Sequence, residues 1–226
     1  MSVLNRMAIQ IREWEGKNDP RSIFLSCYRM MTGNMLRAVE EGRFHDEEWV
    51  ARLLHRFADY YFDALACYDC GGEETPEAWR YAYDVSRRKN LHVLQNLLLG
   101  INAHINYDLV LTIYDMLAPE WERLTEEQRR RRFQDHCTVN VIIAETIDRV
   151  QDEVVERHDP AMDWIDRAFG RLDERLLSLL ISRWRGEVWE QAVGFLQCSC
   201  VADREACRRA LEEEVLQRAR QIALEF

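Results

Sequence analysis

Apolar positions recur along this chain at intervals of three and four, and no segment alternates with period two, so the pattern predicts helix after helix and no strands. Ser2 is placed to cap a first helix that runs to about Glu15 and stops at Gly16. Asp19-Pro20, a cap followed by proline, opens a second helix to about Glu41, with Gly42 as its stop. A third spans roughly Asp46 to Tyr68 and closes at Gly71-Gly72. Thr75-Pro76 begins a long segment to Leu117, with a break expected near Ser86–Asn90 and a stop at Ala118-Pro119. Thr125 and Gln128 form a capping box for a helix to about Arg157, and Asp159-Pro160 repeats the cap-plus-proline signal for one to Phe169 before Gly170. Helices at about Leu172–Arg183, Glu187–Gln197 and Ala202–Leu224 complete the expectation. The fold class predicted is all-α, one bundle-like domain of about eight helices over residues 1–226, with no sheet, linker or internal repeat.

One stretch breaks the usual division of apolar inside and polar outside. Asn90 to Tyr114 is apolar enough to be buried, yet it carries His92, Gln95, Asn96, Asn102, His104, Asn106 and Asp108. A buried polar group left unpaired costs roughly 1–3 kcal/mol, so seven together demand partners: one another, other helices, water, a metal or a ligand. Four histidines also have a polar residue four positions on, the spacing that puts both side chains on one helix face. The pairs are His55 with Asp59, His92 with Asn96, His104 with Asp108 and His136 with Asn140.

Facing helices of a bundle can bring such pairs together, and His with carboxylate can ligate a divalent metal ion (Zn, Fe or Mn) or form a proton-transfer dyad. The metal set this predicts is His104, Asp108, His55, Asp59, His92 and His136. In the catalytic version His104 is the base or ligand, Asp108 orients it, and Asn102 and Asn106 donate hydrogen bonds to a substrate oxygen. The competing reading is that each histidine is satisfied by its own neighbour for structural reasons. The repeated Glu-x-x-His of helical di-iron proteins and the H-E-x-x-H of zincins are both missing. The short His-x-x-x-Asp element is similar to one in helical zinc phosphoesterases of the phospholipase C and P1 nuclease type, whose further His-rich motifs are not matched.

Charge and cysteine content narrow the partners. A net charge of −10 disfavours a broad nucleic-acid footprint, and Arg129–Arg132, the one dense basic run, reads as a solvated helix face, with an anionic-ligand or nucleic-acid patch as the alternative. No apolar run reaches the ~18–20 residues of a membrane span. Met1–Gln10 lacks the apolar stretch of a secretory signal, and the seven cysteines are odd in number, so a reducing cytoplasm is the expected compartment. Cys67 and Cys70 (C-x-x-C) with Cys198 and Cys200 (C-x-C) have poor spacing for a structural zinc. Cys137 adjoins His136, but neighbours on a helix point about 100° apart and make no working pair. Trp184, Arg185 and Trp189, with Arg183 and Glu187, read either as helix packing with surface arginines or as a clamp for an anionic ligand. Tyr28, Met30, Met31 and Met35 read as core.

The segment Leu94–Leu109 resembles the signature of a bacterial family of helical proteins known only as a domain of unknown function. Gln95, Leu98, Leu99, Gly100, Asn102, Ala103, His104, Ile105, Asn106, Asp108 and Leu109 carry the likeness, within a motif L-L-G-x-N-A-H-I-N-x-D-L. The resemblance implies an all-α domain and transfers no activity. The residues themselves favour an enzyme or small-molecule-binding or metal-binding protein, hydrolase-like in its metal-dependent form, with a polar pocket in an apolar core. Its apolar walls (Leu98, Leu99, Ile101, Leu109) suit a partly hydrophobic small molecule. Two alternatives compete. One is a non-catalytic interaction module whose buried polar network sets helix register, with the amphipathic C-terminal helix as a homodimer surface. The other is a protein that binds a lipid or prenyl chain between helices.

Overall fold

The computed structural model describes residues 1–88, 91–154 and 174–224, and of residues 147–154 and 174–178 it describes the backbone alone. The helix expected from Asp159-Pro160 to Phe169 lies outside the described residues. Within them the chain is all helical: α1 (Val3–Glu15), α2 (Arg21–Glu40), α3 (Glu47–Asp69), α4 (Glu77–Ser86), α5 (Val93–Ala103), α6 (Leu109–Leu117), α7 (Glu126–Val154), α8 (Glu174–Leu196) and α9 (Val201–Leu224). A π-helical turn, His104–Asp108, joins α5 to α6 as one continuous rod, so the described residues make eight helices and no strand.

The helix starts are made by side chains reaching back to free backbone N–H groups. Ser2 accepts from the Asn5 N–H, Asp46 accepts from the Trp49 N–H, and Thr125 and Gln128 close their reciprocal box at 2.8 and 3.2 Å. Asp19 caps α2 from one residue further back than usual, accepting from the Arg21 N–H at 3.0 Å while Pro20 takes the cap position. Gly42 leaves α2 at φ +70°, a conformation glycine adopts without steric cost. The break near Ser86 falls where expected, between α4 and α5.

The expected break between Arg183 and Glu187 does not occur, and α8 runs straight through Gly186. One glycine in a helix costs only about 1 kcal/mol, and the buried Trp184, Val188, Trp189 and Ala192 around it supply more than that in packing.

The α5–α6 rod is the axis of the molecule. Its α5 end packs on α2, α4 and α9, its α6 end on α3 and α8, and Leu97, Leu99, Leu109, Ile113 and Leu117 are wholly enclosed. At Gly100 the rod meets α2 so closely that a Cβ would lie 2.4 Å from the Phe24 ring. The last helix docks on α4 and α5 through Leu211, Val215, Leu216, Ala219 and Ile222, whereas Ala206 is exposed. Its principal apolar face is thus covered by its own chain.

The basic run divides: Arg129 and Arg132 are partly buried, while Arg130 and Arg131 lie on an exposed helix face. Arg132 bridges Asp46 and Glu120, Arg130 and Arg131 pair with Glu127, and Arg129 lies over Trp121. Among the described residues no helix is long and apolar enough to cross a membrane.

Candidate functional site

The seven polar residues of the central rod divide into two groups. Of the first group of five, all but Asn96 serve architecture. His92 Nδ1 accepts from the Leu94 N–H while Gln95 Oε1 accepts from the His92 N–H, which caps α5. Gln95 also donates to the Ile222 carbonyl at 3.0 Å, and Asn102 donates to the Val215 carbonyl at 2.9 Å, so both amides anchor α9. Asn106 donates to Asn102 Oδ1 at 2.9 Å, which fixes the Asn102 amide in turn. Asn96 lines a small void beside Tyr61 and Trp79, and its Oδ1 has no partner among the described residues. The expected pairing of His92 with Asn96 is replaced by the capping bond, because His92 stands before the first helical turn rather than within it.

The remaining two form a dyad. His104 Nδ1 and Asp108 Oδ2 lie 2.9 Å apart, with side chains 4 % and 1 % exposed, across the π turn itself. A π turn widens the helix by one residue and recurs at functional sites. Here the Leu109 N–H reaches back to the His104 carbonyl, and Thr112 Oγ1 bonds the Asp108 carbonyl at 2.7 Å. Trp79 of α4 donates Nε1–H to the same Asp108 Oδ2 at 2.9 Å. Phe57 stacks on the imidazole at 3.6 Å between ring centroids, and Tyr28 meets it edge-on at 4.2 Å.

Burial controls the protonation of this pair. Desolvation pushes the Asp108 carboxyl well above the usual carboxylate range, against the pull of the Trp79 N–H, and holds the imidazole of His104 well below its ordinary value. Burial thus favours the uncharged form of each group, and Nδ1 and Oδ2 lie within hydrogen-bond distance. Burial likewise keeps Tyr28 a phenol. Among the described residues His104 Nε2, Asp108 Oδ1 and the Tyr28 hydroxyl have no hydrogen-bond partner. Three unsatisfied polar atoms around one dyad are unusual in a folded interior.

His104 lines a cavity of about 770 Å³, its mouth included, between α2, α3, the rod, α7 and α8. Cys27, Met31, Met35, Leu53, Leu54, Phe57, Ile105, Val139, Ile143 and Ile181 form walls that are almost entirely apolar, and Arg185 is the one charged residue among them. Tyr28 and Met35 belong to the core and Met31 packs against it, as sequence implied, and all three also line the cavity. Of the walls expected by sequence, Ile101 and Leu109 line this space, whereas Leu98 and Leu99 pack elsewhere in the core. Asp108 borders a second, polar cleft of about 1,140 Å³ with its mouth, beside Asp63, Asp115, Arg204 and Arg208. The dyad stands between the two.

The other candidate residues lie apart from it. His55 and Asp59 are both exposed on α3. His136 is buried, but it is bonded to α8: Nε2 pairs with the Arg185 carbonyl at 2.8 Å and Nδ1 faces Arg185 Nη2 at 3.3 Å. Asn140, expected to pair with His136, accepts from Arg185 Nε instead. Among the described residues no three His, Cys, Asp or Glu side chains gather where they could hold a metal ion. The six residues expected as a metal shell are thus dispersed: His55 and Asp59 are exposed on α3, His92 caps α5, and His136 is bonded to α8. Asn102 and Asn106 are engaged with α9 and with each other, away from the cavity. Cys27, whose thiol burial pushes up to about 12, and Cys137, also raised by burial, are poor nucleophiles.

Sequence reasoning missed Trp79, Tyr28 and Phe57 as neighbours of the dyad. Their only advance signal was aromatic residues at helical spacing, which reads equally as core. Neither the curated proteins nor the solved structures contain a match to this chain. A family model does match, over residues 1–225, and the chain belongs to that family, described as a family of unknown function (DUF5995).

Proposed function

We propose that the protein binds a largely apolar small molecule in the cavity, and that His104 and Asp108 stand at its wall as a proton-handling pair. The observation that carries this reading is the cavity itself, an apolar space of about 770 Å³ with its mouth, bordered by an imidazole that retains an unbonded nitrogen. Protein interiors are close-packed, and an apolar void costs stability in proportion to its volume. Water gains little among such walls, which offer it few hydrogen bonds. A ligand that fills the space offsets that cost.

The dyad supports a chemical role. An uncharged imidazole whose other nitrogen is oriented by a carboxyl group can take or give a proton at Nε2 once a ligand lies against it. Asn102 and Asn106 belong to the second reading, a buried network that sets helix register, since their bonds join the rod to α9. The two readings apply to different residues of one segment and do not conflict.

The test is titration with N-phenyl-1-naphthylamine, a neutral apolar fluorophore. Saturable binding to one site is expected, weakened at least about tenfold by Met35→Trp or by Met31→Trp, which place an indole in the space. Met31 is only half-buried, so the second variant is the safer for folding. Absence of saturable binding to the wild type, or binding unchanged in a folded Trp variant, would overturn the proposal.

A further inference from the structure

Arg185 is 5 % exposed, and its guanidinium is held entirely by neutral groups. Nε donates to Asn140 Oδ1 at 2.6 Å, and Nη2 donates to the His136 carbonyl at 3.2 Å and lies 3.3 Å from His136 Nδ1. His136 stays a neutral imidazole, because burial and the adjacent guanidinium hold its pKa down to about 3. Cys137 nearby stays a thiol. Among the described residues no carboxylate pairs with Arg185, and its Nη1 makes no hydrogen bond.

Other arginines drawn into the fold are treated differently. Arg21 bonds both Asp19 and Asp69, and Arg132 bonds both Asp46 and Glu120. A guanidinium does not deprotonate to escape burial, so an enclosed one without a counter-ion is costly and retains unused donors. Arg185 sits at the wall of the apolar cavity, which the α2 residues Met31 and Met35 also line.

The geometry points to an amphiphilic anion as the occupant of this cavity, its carboxylate or phosphate-type head on the Arg185 guanidinium and its hydrocarbon body against Met31, Met35, Leu54, Phe57, Ile105 and Ile143. This rests on the reading of the cavity as a ligand site and names the class of ligand. A planar fork of N–H donors suits such a head, and among the described residues the other polar side chains of the walls, Tyr28, Thr32 and His104, carry no formal charge to meet a ligand charged along its length. A cationic or uncharged amphiphile would leave the guanidinium as it is.

The experiment is displacement of bound N-phenyl-1-naphthylamine, below micellar concentrations, by dodecanoate, dodecyl phosphate, dodecanol and dodecylammonium. One or both anions should displace it at least about tenfold more effectively than dodecanol, with dodecylammonium weakest. Which anion leads identifies the head group. Arg185→Met should bring dodecanoate to within about twofold of dodecanol while dodecanol itself still binds, and Arg185→Lys, which lacks the fork, should keep only part of the preference. Dodecanol and both anions displacing equally in the wild type would overturn the inference and leave the cavity reading standing, as would an undiminished preference in Arg185→Met. Failure of the fluorophore and of all four probes to bind would overturn the cavity reading itself. The order of the four probes on the wild type decides the matter even if Arg185→Met does not fold.

Discussion

If Asp108 is uncharged because it is buried, then replacing it with the isosteric amide must change how stability depends on pH. In the wild type the folded-state pKa of Asp108 is raised well above the ordinary 3.8, so from about pH 4 upward the native state holds a proton that the unfolded chain has released. Stability from this group is therefore full below the unfolded pKa and is lost as pH rises, at about 1.4 kcal/mol per pH unit, until the folded pKa is reached. His104 works in the opposite sense, since its folded pKa is lowered and the unfolded chain gains a proton below about 6.5. The two slopes offset each other between about pH 4 and 6.5, where folding in effect moves one proton from imidazole to carboxyl. Above that window only the Asp108 slope remains.

Asp108→Asn removes the ionisation but keeps an acceptor for Trp79 and for His104, so the contribution of His104 cancels when the two proteins are compared. The amide variant should gain on the wild type by about 1.4 kcal/mol for each pH unit from about 4 until the folded pKa of Asp108 is reached, whichever protein is more stable at the start. Urea denaturation of both proteins at half-unit steps from pH 4.5 to 8.5 measures the difference directly. A difference independent of pH, or one that favours the wild type as pH rises, would mean that Asp108 is an ionised partner of an imidazolium, and the uncharged dyad would have to be abandoned.

Three further outcomes are expected. His136 is neutral in the folded protein with a pKa near 3, so its contribution is lost as pH falls from about 6.5 toward 3, roughly 4–5 kcal/mol in all, and His136→Gln should flatten that limb of an acid-denaturation curve. Gly100→Ala sets a methyl group 2.4 Å from the Phe24 ring, which must move away from His104, Tyr61 and Trp79; a loss of about 1–3 kcal/mol by urea denaturation is expected. Asn102→Ala leaves the Val215 carbonyl and the Asn106 amide without their partner, and should cost about 1–3 kcal/mol in Tm-based stability while fluorophore affinity stays within about twofold.

Much of the fold was legible because helix signals act within a few residues. Ser2, Asp46, and Thr125 with Gln128 all cap by bonds to residues three positions away. The one clear misreading, a break at Gly186, arose because a local breaker was weighed without the packing of Trp184 and Trp189 that overrides it. The site was legible in part. His104 and Asp108 are four residues apart and do pair, so spacing was enough to see them. The partners of Asn102 and Gln95 lie 113 and 127 residues along the chain, and both are backbone carbonyls, which carry no side-chain signature at all. Arg185 drew notice as part of an aromatic and basic cluster, but that sequence context could not separate it from Arg183, which is exposed and paired with Glu187.

The chain's own order of residues thus determined the helices, their caps and the buried polar character of the central rod, since each of these depends on neighbours within about one turn. Tertiary structure decided which polar groups were satisfied and which were left over. Only the approach of α2, α3, α7 and α8 to the rod makes an apolar space beside His104 and encloses Arg185 without a carboxylate. Burial is a property of the assembled helices, and burial is what strips these two side chains of water and leaves them facing a cavity.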